Sequence, residues 1–171
     1  METSYFELFR IVPRFSLGTE SLEIAYYTIL NEVHPDRFAQ TDEPARMRAL
    51  ASAATANEAY RTLKKPLLRA RYLLKMRGIE TGTDATLSPS LLMRQMEWRE
   101  ALAEAVASRD EQALATLASE VKSRAHTLEE LVEAQLDFNS DDAGAARSVE
   151  EWLFVEKLLA AIEDARAALE F

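Results

Sequence analysis

Two histidines and no cysteine bound the chemistry that this chain can do unaided. Without thiols it holds no disulfide, no thiolate nucleophile and no Cys-ligated zinc or iron-sulfur cluster of its own. A Ser-His-Asp site needs a nucleophile elbow or a Gly-rich oxyanion loop near its histidine, and neither His34 nor His126 has one. His126 sits in the helical run VKSRAHTLEELVEA, the setting of a surface or boundary histidine. No spaced histidine pair offers a metal site. No catalytic residue, metal ligand or cofactor is therefore expected, and a binding role stands ahead of an enzymic one. His34 differs because it opens a His-Pro-Asp triplet, His34, Pro35 and Asp36, in the stretch NEVHPDRFAQ. An isolated triplet of this kind is usually a turn, with Pro35 and Asp36 as turn residues and His34 as a helix terminator.

The surroundings of the triplet say more. Leu22, Ala25, Tyr26, Ile29, Leu30 and Val33 recur at spacings of three and four and mark an amphipathic helix, with Thr19 as its expected N-cap. Pro35 disfavours helical geometry at His34, so this helix should end near Val33. A second helix is expected from about Thr41 to Leu63 or Lys64, with Met47, Leu50, Ala53, Ala54, Tyr60 and Leu63 as its apolar positions. Its alanines allow close approach, which predicts an antiparallel hairpin joined by the His-Pro-Asp loop. A short apolar helix, YFELFRIVP, precedes the hairpin. Another follows it, opened by Pro66 and closed by Gly78. The polar stretch at 79–88 reads as a linker, and three longer helical patterns follow at roughly 89–107, 110–137 and 146–169. Short connections between them imply an antiparallel three-helix bundle.

Composition agrees with an all-α chain: four glycines and five prolines are set in Ala, Leu and Glu. No apolar run approaches the roughly 18 residues of a membrane span, and no leader pattern opens the chain, so a soluble, unprocessed, cytoplasmic protein is expected. The net charge of -9 disfavours nucleic acid as a partner. That charge is uneven: residues 1–80 carry 12 Lys/Arg against 10 Asp/Glu, and residues 81–171 carry 8 against 19. Such asymmetry suggests two modules with different partners, although an acidic solubilising surface would read the same way.

The order YFELF, Leu22 to Val33, HPDRF and NEAYRTLKKP resembles the J domain of the DnaJ-like co-chaperones. The resemblance implies that the triplet engages the ATPase domain of a 70-kDa heat-shock chaperone and stimulates ATP hydrolysis there. Pro35 would stiffen the loop, while His34 and Asp36 present hydrogen bonds and a negative charge, with Arg37 beside them. LFRIVPRFSL, PLLRARYLL and SLLMRQMEWREALAEA narrow the likeness to the iron-sulfur cluster co-chaperones of the HscB family, from Tyr5 to Phe171. That family pairs a J domain with a C-terminal bundle that binds an IscU-like scaffold and presents it to an HscA-like chaperone. Here the resemblance implies an L-shaped, all-α chain with a J domain at 1–76, a linker at 77–87 and a scaffold-binding bundle at 88–171. A J protein for a different client is the alternative.

At about 100° per residue, Leu91, Trp98, Leu102 and Ala105 share one side of the first bundle helix. Met93, Glu97, Glu100 and Glu104 lie opposite, with Met96 and then Leu92 at the edge. Projection alone leaves Met93 and Met96 open as core residues and the glutamates as a solvated face. The resemblance favours a mixed docking patch of Leu92, Met93, Met96, Glu97, Glu100 and Glu104, with Phe154 from the last helix. One departure from J domains stands out: residues 20–33 contain Glu20, Glu23 and Glu32 and no Lys or Arg, leaving Arg37, Arg46 and Arg48 to supply positive charge. Docking then relies less on steering and is less salt-sensitive, or the cognate chaperone differs. A metal-binding N-terminal extension of the kind vertebrate relatives carry is not expected, in keeping with a bacterial-type protein.

Overall fold

The computed structural model describes residues 3–33, 43–82 and 88–169, and every regular element among them is helical. The chain divides into two compact units, Met1–Met76 and Arg77–Phe171. His34, Pro35, Asp36 and Arg37 lie outside the described residues.

The first unit opens with the short helix α1 (Tyr5–Leu8), closed by a capping box. The Ser4 hydroxyl accepts the Glu7 N–H at 3.2 Å, and the Glu7 carboxylate accepts the Ser4 N–H at 2.8 Å. That second bond holds the Glu7 carboxyl below the usual carboxylate range. α1 places Phe6 in the core together with Phe9 and Phe15, and the Tyr5 ring stacks on Tyr72 at 4.4 Å. α2 (Thr19–Glu32) is capped one residue earlier than expected: Gly18 takes the N-cap position without a side-chain bond, and Thr19 is the first helical residue. α3 (Glu43–Lys64) runs antiparallel to α2, because Tyr26 meets Asn57 while Glu23, earlier in α2, meets Tyr60, later in α3.

The buried row of α3 is Ala49, Ala56, Ala59 and Leu63. Met47, Leu50 and Ala54, expected on its apolar side, are exposed. About 100° per residue puts these three opposite the alanine row, so the helix approaches its neighbours through its smallest side chains. α4 (Pro66–Met76) buries Arg69, whose guanidinium donates to the Leu63 carbonyl at 2.6 Å and lies 5.0 Å from the Phe15 ring centroid. A buried cation thereby serves a carbonyl at the C-terminus of α3, where the helix dipole favours positive charge. Gly78 follows α4 at φ +80, the left-handed geometry for which glycine is suited.

The second unit contains α5 (Pro89–Ser108), α6 (Glu111–Glu133) and α7 (Asp142–Leu169). Only Arg109 and Asp110 separate α5 from α6, so the chain must turn back on itself. Arg109 adopts a left-handed conformation and Asp110 accepts the Ala113 N–H at 2.9 Å. The helical pattern expected to 137 changes winding at Ala134–Phe138, a π-helical turn in which the Asn139 N–H reaches the Ala134 carbonyl at 2.9 Å. α7 begins at Asp142 rather than near 146. Asp141 supplies the reason by accepting the Gly144 N–H at 2.8 Å. A Cβ at position 144 would lie 2.0 Å from the Asp141 carboxylate, so the cap requires glycine there. Arg77 donates to Asp142 and, at 3.4 Å, to the Leu136 carbonyl, and the Gly82 N–H donates to Glu150.

α6 and α7 supply most of the bundle core: Leu114, Val121, Leu128 and Val132 face Val149, Trp152, Val155 and Ile162. α5 adds only Trp98 and Ala105 as buried apolar residues. The unequal sharing leaves one long helix with most of its circumference free.

Candidate functional site

The free surface of α5 starts from its caps. The Ser88 hydroxyl accepts the Leu91 N–H at 3.3 Å and Pro89 occupies the first turn, where its missing N–H costs nothing. From that start the helical period sets every later side chain. Trp98 and Ala105 turn inward with Gln95, and Leu91 and Leu102 are half-buried. Leu92, Met93 and Met96 turn outward, 46%, 63% and 61% exposed. Glu97, Glu100 and Glu104 are exposed along the same side. Met93 and Met96 are therefore surface residues rather than core. Three apolar side chains next to three carboxylates give a face that can pack against an apolar surface and pair with cations at its rim.

Phe154, on α7, is half-buried at the edge of this face. Its ring lies parallel to Trp98, with an interplanar angle of 4° and centroids 6.4 Å apart. The Arg99 guanidinium stands 5.4 Å from the Phe154 centroid and that of Arg94 stands 5.9 Å from Trp98. Trp98 also reaches α6: its Nε1–H donates to Glu120 at 2.8 Å. This indole thus ties α5 to α6 and lies against the α7 ring that borders the exposed face. Beyond it, Glu151 receives two bonds from Arg124 at 2.6 and 2.8 Å, and the bond raises the Arg124 pKa. An open cleft of about 770 Å³ runs between α5 and α6 past Arg94, Trp98, Thr116, Ser119, Glu120 and Ser123. The sequence reading missed Glu120, Arg94 and Arg99. The i,i+4 spacing of Arg94 and Trp98 was a usable signal, whereas Glu120 and Phe154 reach α5 only through the fold.

In the first unit the helices on either side of positions 34–42 are held to each other. α2 closes with the Val33 N–H on the Ile29 carbonyl at 3.0 Å, and α3 takes up the chain again at Glu43. Tyr26 and Tyr60 stack at 4.1 Å between the two helices, the Tyr26 hydroxyl donates to Asn57 at 2.7 Å, and the Tyr60 hydroxyl donates to Glu23 at 3.2 Å. Lys64 donates to the Tyr60 hydroxyl at 3.0 Å, which raises the lysine pKa. The exposed face of α2 carries Ile24 and Tyr27 where a basic face was the comparison. Arg46 stands 2.7 Å from Glu43, so part of its charge is met locally.

His126 is an exposed α6 side chain with its Nε2 3.5 Å from Glu130. Among the described residues no three His, Asp or Glu side chains stand together as a metal site, and no helix is long and apolar enough to cross a membrane.

Residues 87–163 match the family described as the HSCB C-terminal oligomerisation domain. The co-chaperone protein HscB homolog of Burkholderia cenocepacia is 39% identical over 160 residues, which span 92% of this chain and 91% of the relative. Among solved structures, chaperone HscB from Vibrio cholerae aligns with a TM-score of 0.85 at 35% identity, covering 97% of this chain and 99% of the other. Human co-chaperone protein HscB aligns with a TM-score of 0.87 at 29% identity, covering 94% and 80%.

Proposed function

The chain belongs to the HscB family of co-chaperones, and from that membership we propose that it serves iron-sulfur cluster assembly by delivering a scaffold protein to a 70-kDa heat-shock chaperone. The scaffold is of the IscU type and the chaperone of the HscA type. Residues 1–76 act as the J domain, 77–87 as the linker and 88–171 as the scaffold-holding bundle, in the cytoplasm.

In this reading the chain breaks no bond. Its relatives are co-chaperones, and the hydrolysis of ATP belongs to the partner. α2 and α3 bracket the segment that carries His34, Pro35, Asp36 and Arg37. A segment tethered at both ends gives up less entropy when it docks than a free one would. The scaffold docks on Leu92, Met93 and Met96, with Phe154 alongside and Glu97, Glu100 and Glu104 at the rim. The observation that carries this is the outward turn of three large apolar side chains on the helix least used by the core. Single exposed hydrophobic residues are common on soluble proteins, but three on one face, bordered by an aromatic ring, form a patch suited to a partner.

Joining both sites in one chain raises the effective concentration of scaffold near chaperone. The test is an ATPase assay with the chaperone, the scaffold and this protein, singly and together. Stimulation by this protein and a further rise with scaffold are expected. Stimulation without any effect or binding of scaffold would instead support a J protein with another client.

A further inference from the structure

We propose that Met93 and Met96 form an oxidation-sensitive modification site, at which conversion to methionine sulfoxide releases the scaffold from α5. The inference rests on the reading of α5 as the scaffold-binding helix and adds a form of regulation to it.

The chain has no cysteine, so its oxidisable sulfur is confined to five methionines. Met93 and Met96 are 63% and 61% exposed, which leaves both thioethers open to a small oxidant in water. They stand three residues apart on a helix, a spacing that brings side chains next to one another on one surface. Leu92 lies beside them, also exposed, and Glu97 and Glu100 border the pair. A partner that buries this face must therefore take both sulfurs out of water together.

With hydrogen peroxide as oxidant, the sulfur lone pair attacks one peroxide oxygen, an S–O bond forms as the O–O bond breaks, and proton transfer to the departing oxygen yields water. The sulfur loses two electrons and the peroxide gains them. The product is a polar, chiral sulfoxide where an apolar, flexible side chain stood. Burying that oxygen against an apolar partner surface without a hydrogen-bond donor is unfavourable, and two adjacent sulfoxides double the effect. The change is reversible, since methionine sulfoxide reductases act on each epimer. Met47 and Met76, also exposed but in the first unit, are internal controls.

The test uses the full chain treated with hydrogen peroxide, with each methionine's oxidation read by peptide mass spectrometry and scaffold affinity by calorimetry. Loss of at least tenfold in affinity that tracks oxidation of Met93 and Met96, and its recovery with the two reductases, is expected. The double variant Met93→Leu, Met96→Leu is compared only with its own untreated affinity, whatever that value is, and should lose none of it on the same treatment, although Met47 and Met76 are oxidised in it. Full oxidation at 93 and 96 with unchanged affinity would overturn this inference while leaving the docking site in place, and so would an equal loss in the double variant. If the untreated protein does not bind scaffold at all, the docking site fails and this inference fails with it.

Discussion

In the first unit the residues expected to act lie between two helices, whereas in the second all but Phe154 lie along one. The hairpin of the first unit closes on alanines, and the stack of Tyr26 on Tyr60 clamps it, while Tyr5 on Tyr72 joins α1 to α4. Such packing holds the two helices together on either side of the segment assigned to the chaperone contact. The bundle of the second unit closes on Leu, Val, Ile and Trp from α6 and α7, and α5 joins it chiefly through Trp98. Its working surface is what remains of α5 after the core has taken its share. A contact segment between helices thus needs those helices held together, while a contact helix needs to be under-used by its own core.

The contrast can be broken most directly at the His-Pro-Asp triplet. His34→Gln should abolish stimulation of the chaperone ATPase and leave scaffold affinity at the wild-type value, since the two functions are assigned to different units. A variant that stimulates normally would remove the J-domain assignment altogether. Next in size is the replacement of Leu92, Met93 and Met96 by Ala. Each well-buried anchor is expected to contribute on the order of 1 kcal/mol or more, so calorimetry should show scaffold binding weakened by about a hundredfold or more, with basal ATPase stimulation retained.

A smaller effect should come from Trp98→Phe, which keeps an aromatic ring against Phe154 and loses the N–H that reaches Glu120. One hydrogen bond of this kind is worth about 1 kcal/mol. Scaffold affinity should fall severalfold, and a Glu120→Ala background should absorb most of that loss in a double-mutant cycle. Additive losses would show that the bond does not orient α5. Tyr26→Phe is the corresponding change in the hairpin: it removes the 2.7 Å bond to Asn57 while keeping the stack on Tyr60. A cost of about 0.5–1 kcal/mol is expected, visible in thermal unfolding of the first unit and absent from scaffold titrations.

The weakest comparison is by pH. Glu7 in the first unit and Glu163 in the second both have lowered pKa values, the one through the Ser4 N–H and the other through Lys122 at 2.9 Å. A carboxylate with a depressed folded-state pKa contributes stability above its unfolded pKa and loses it as pH falls through the folded value. Both side chains are solvent-screened, so only a slight acid-side loss is expected. NMR titration should place both carboxyls below a free glutamate, and Lys122→Met should raise Glu163 alone toward the ordinary range, with Arg166 at 3.4 Å still lowering it.

Much of this was legible from residues near one another in the chain. The helix that stops before Pro35, the glycine that ends α4 at a positive φ, the capped start of α5 and the side of α5 on which Met93 and the glutamates lie all follow from the helical period and the backbone limits of Pro and Gly. The start of α7 was misplaced because Asp141 caps it and Gly144 makes room for that cap, a fit that residue preference alone does not specify. The apolar row of α3 was misassigned because Met47 and Leu50 outweigh alanine by hydrophobicity, while close packing against α2 and α1 selects the smaller side chains. Periodicity therefore determined which residues share a face. Which face meets solvent depended on where the other helices lie, and so did the joining of Trp98 to Glu120 and Phe154. Burial is a property of distance between segments remote in sequence, and only the packed chain sets those distances.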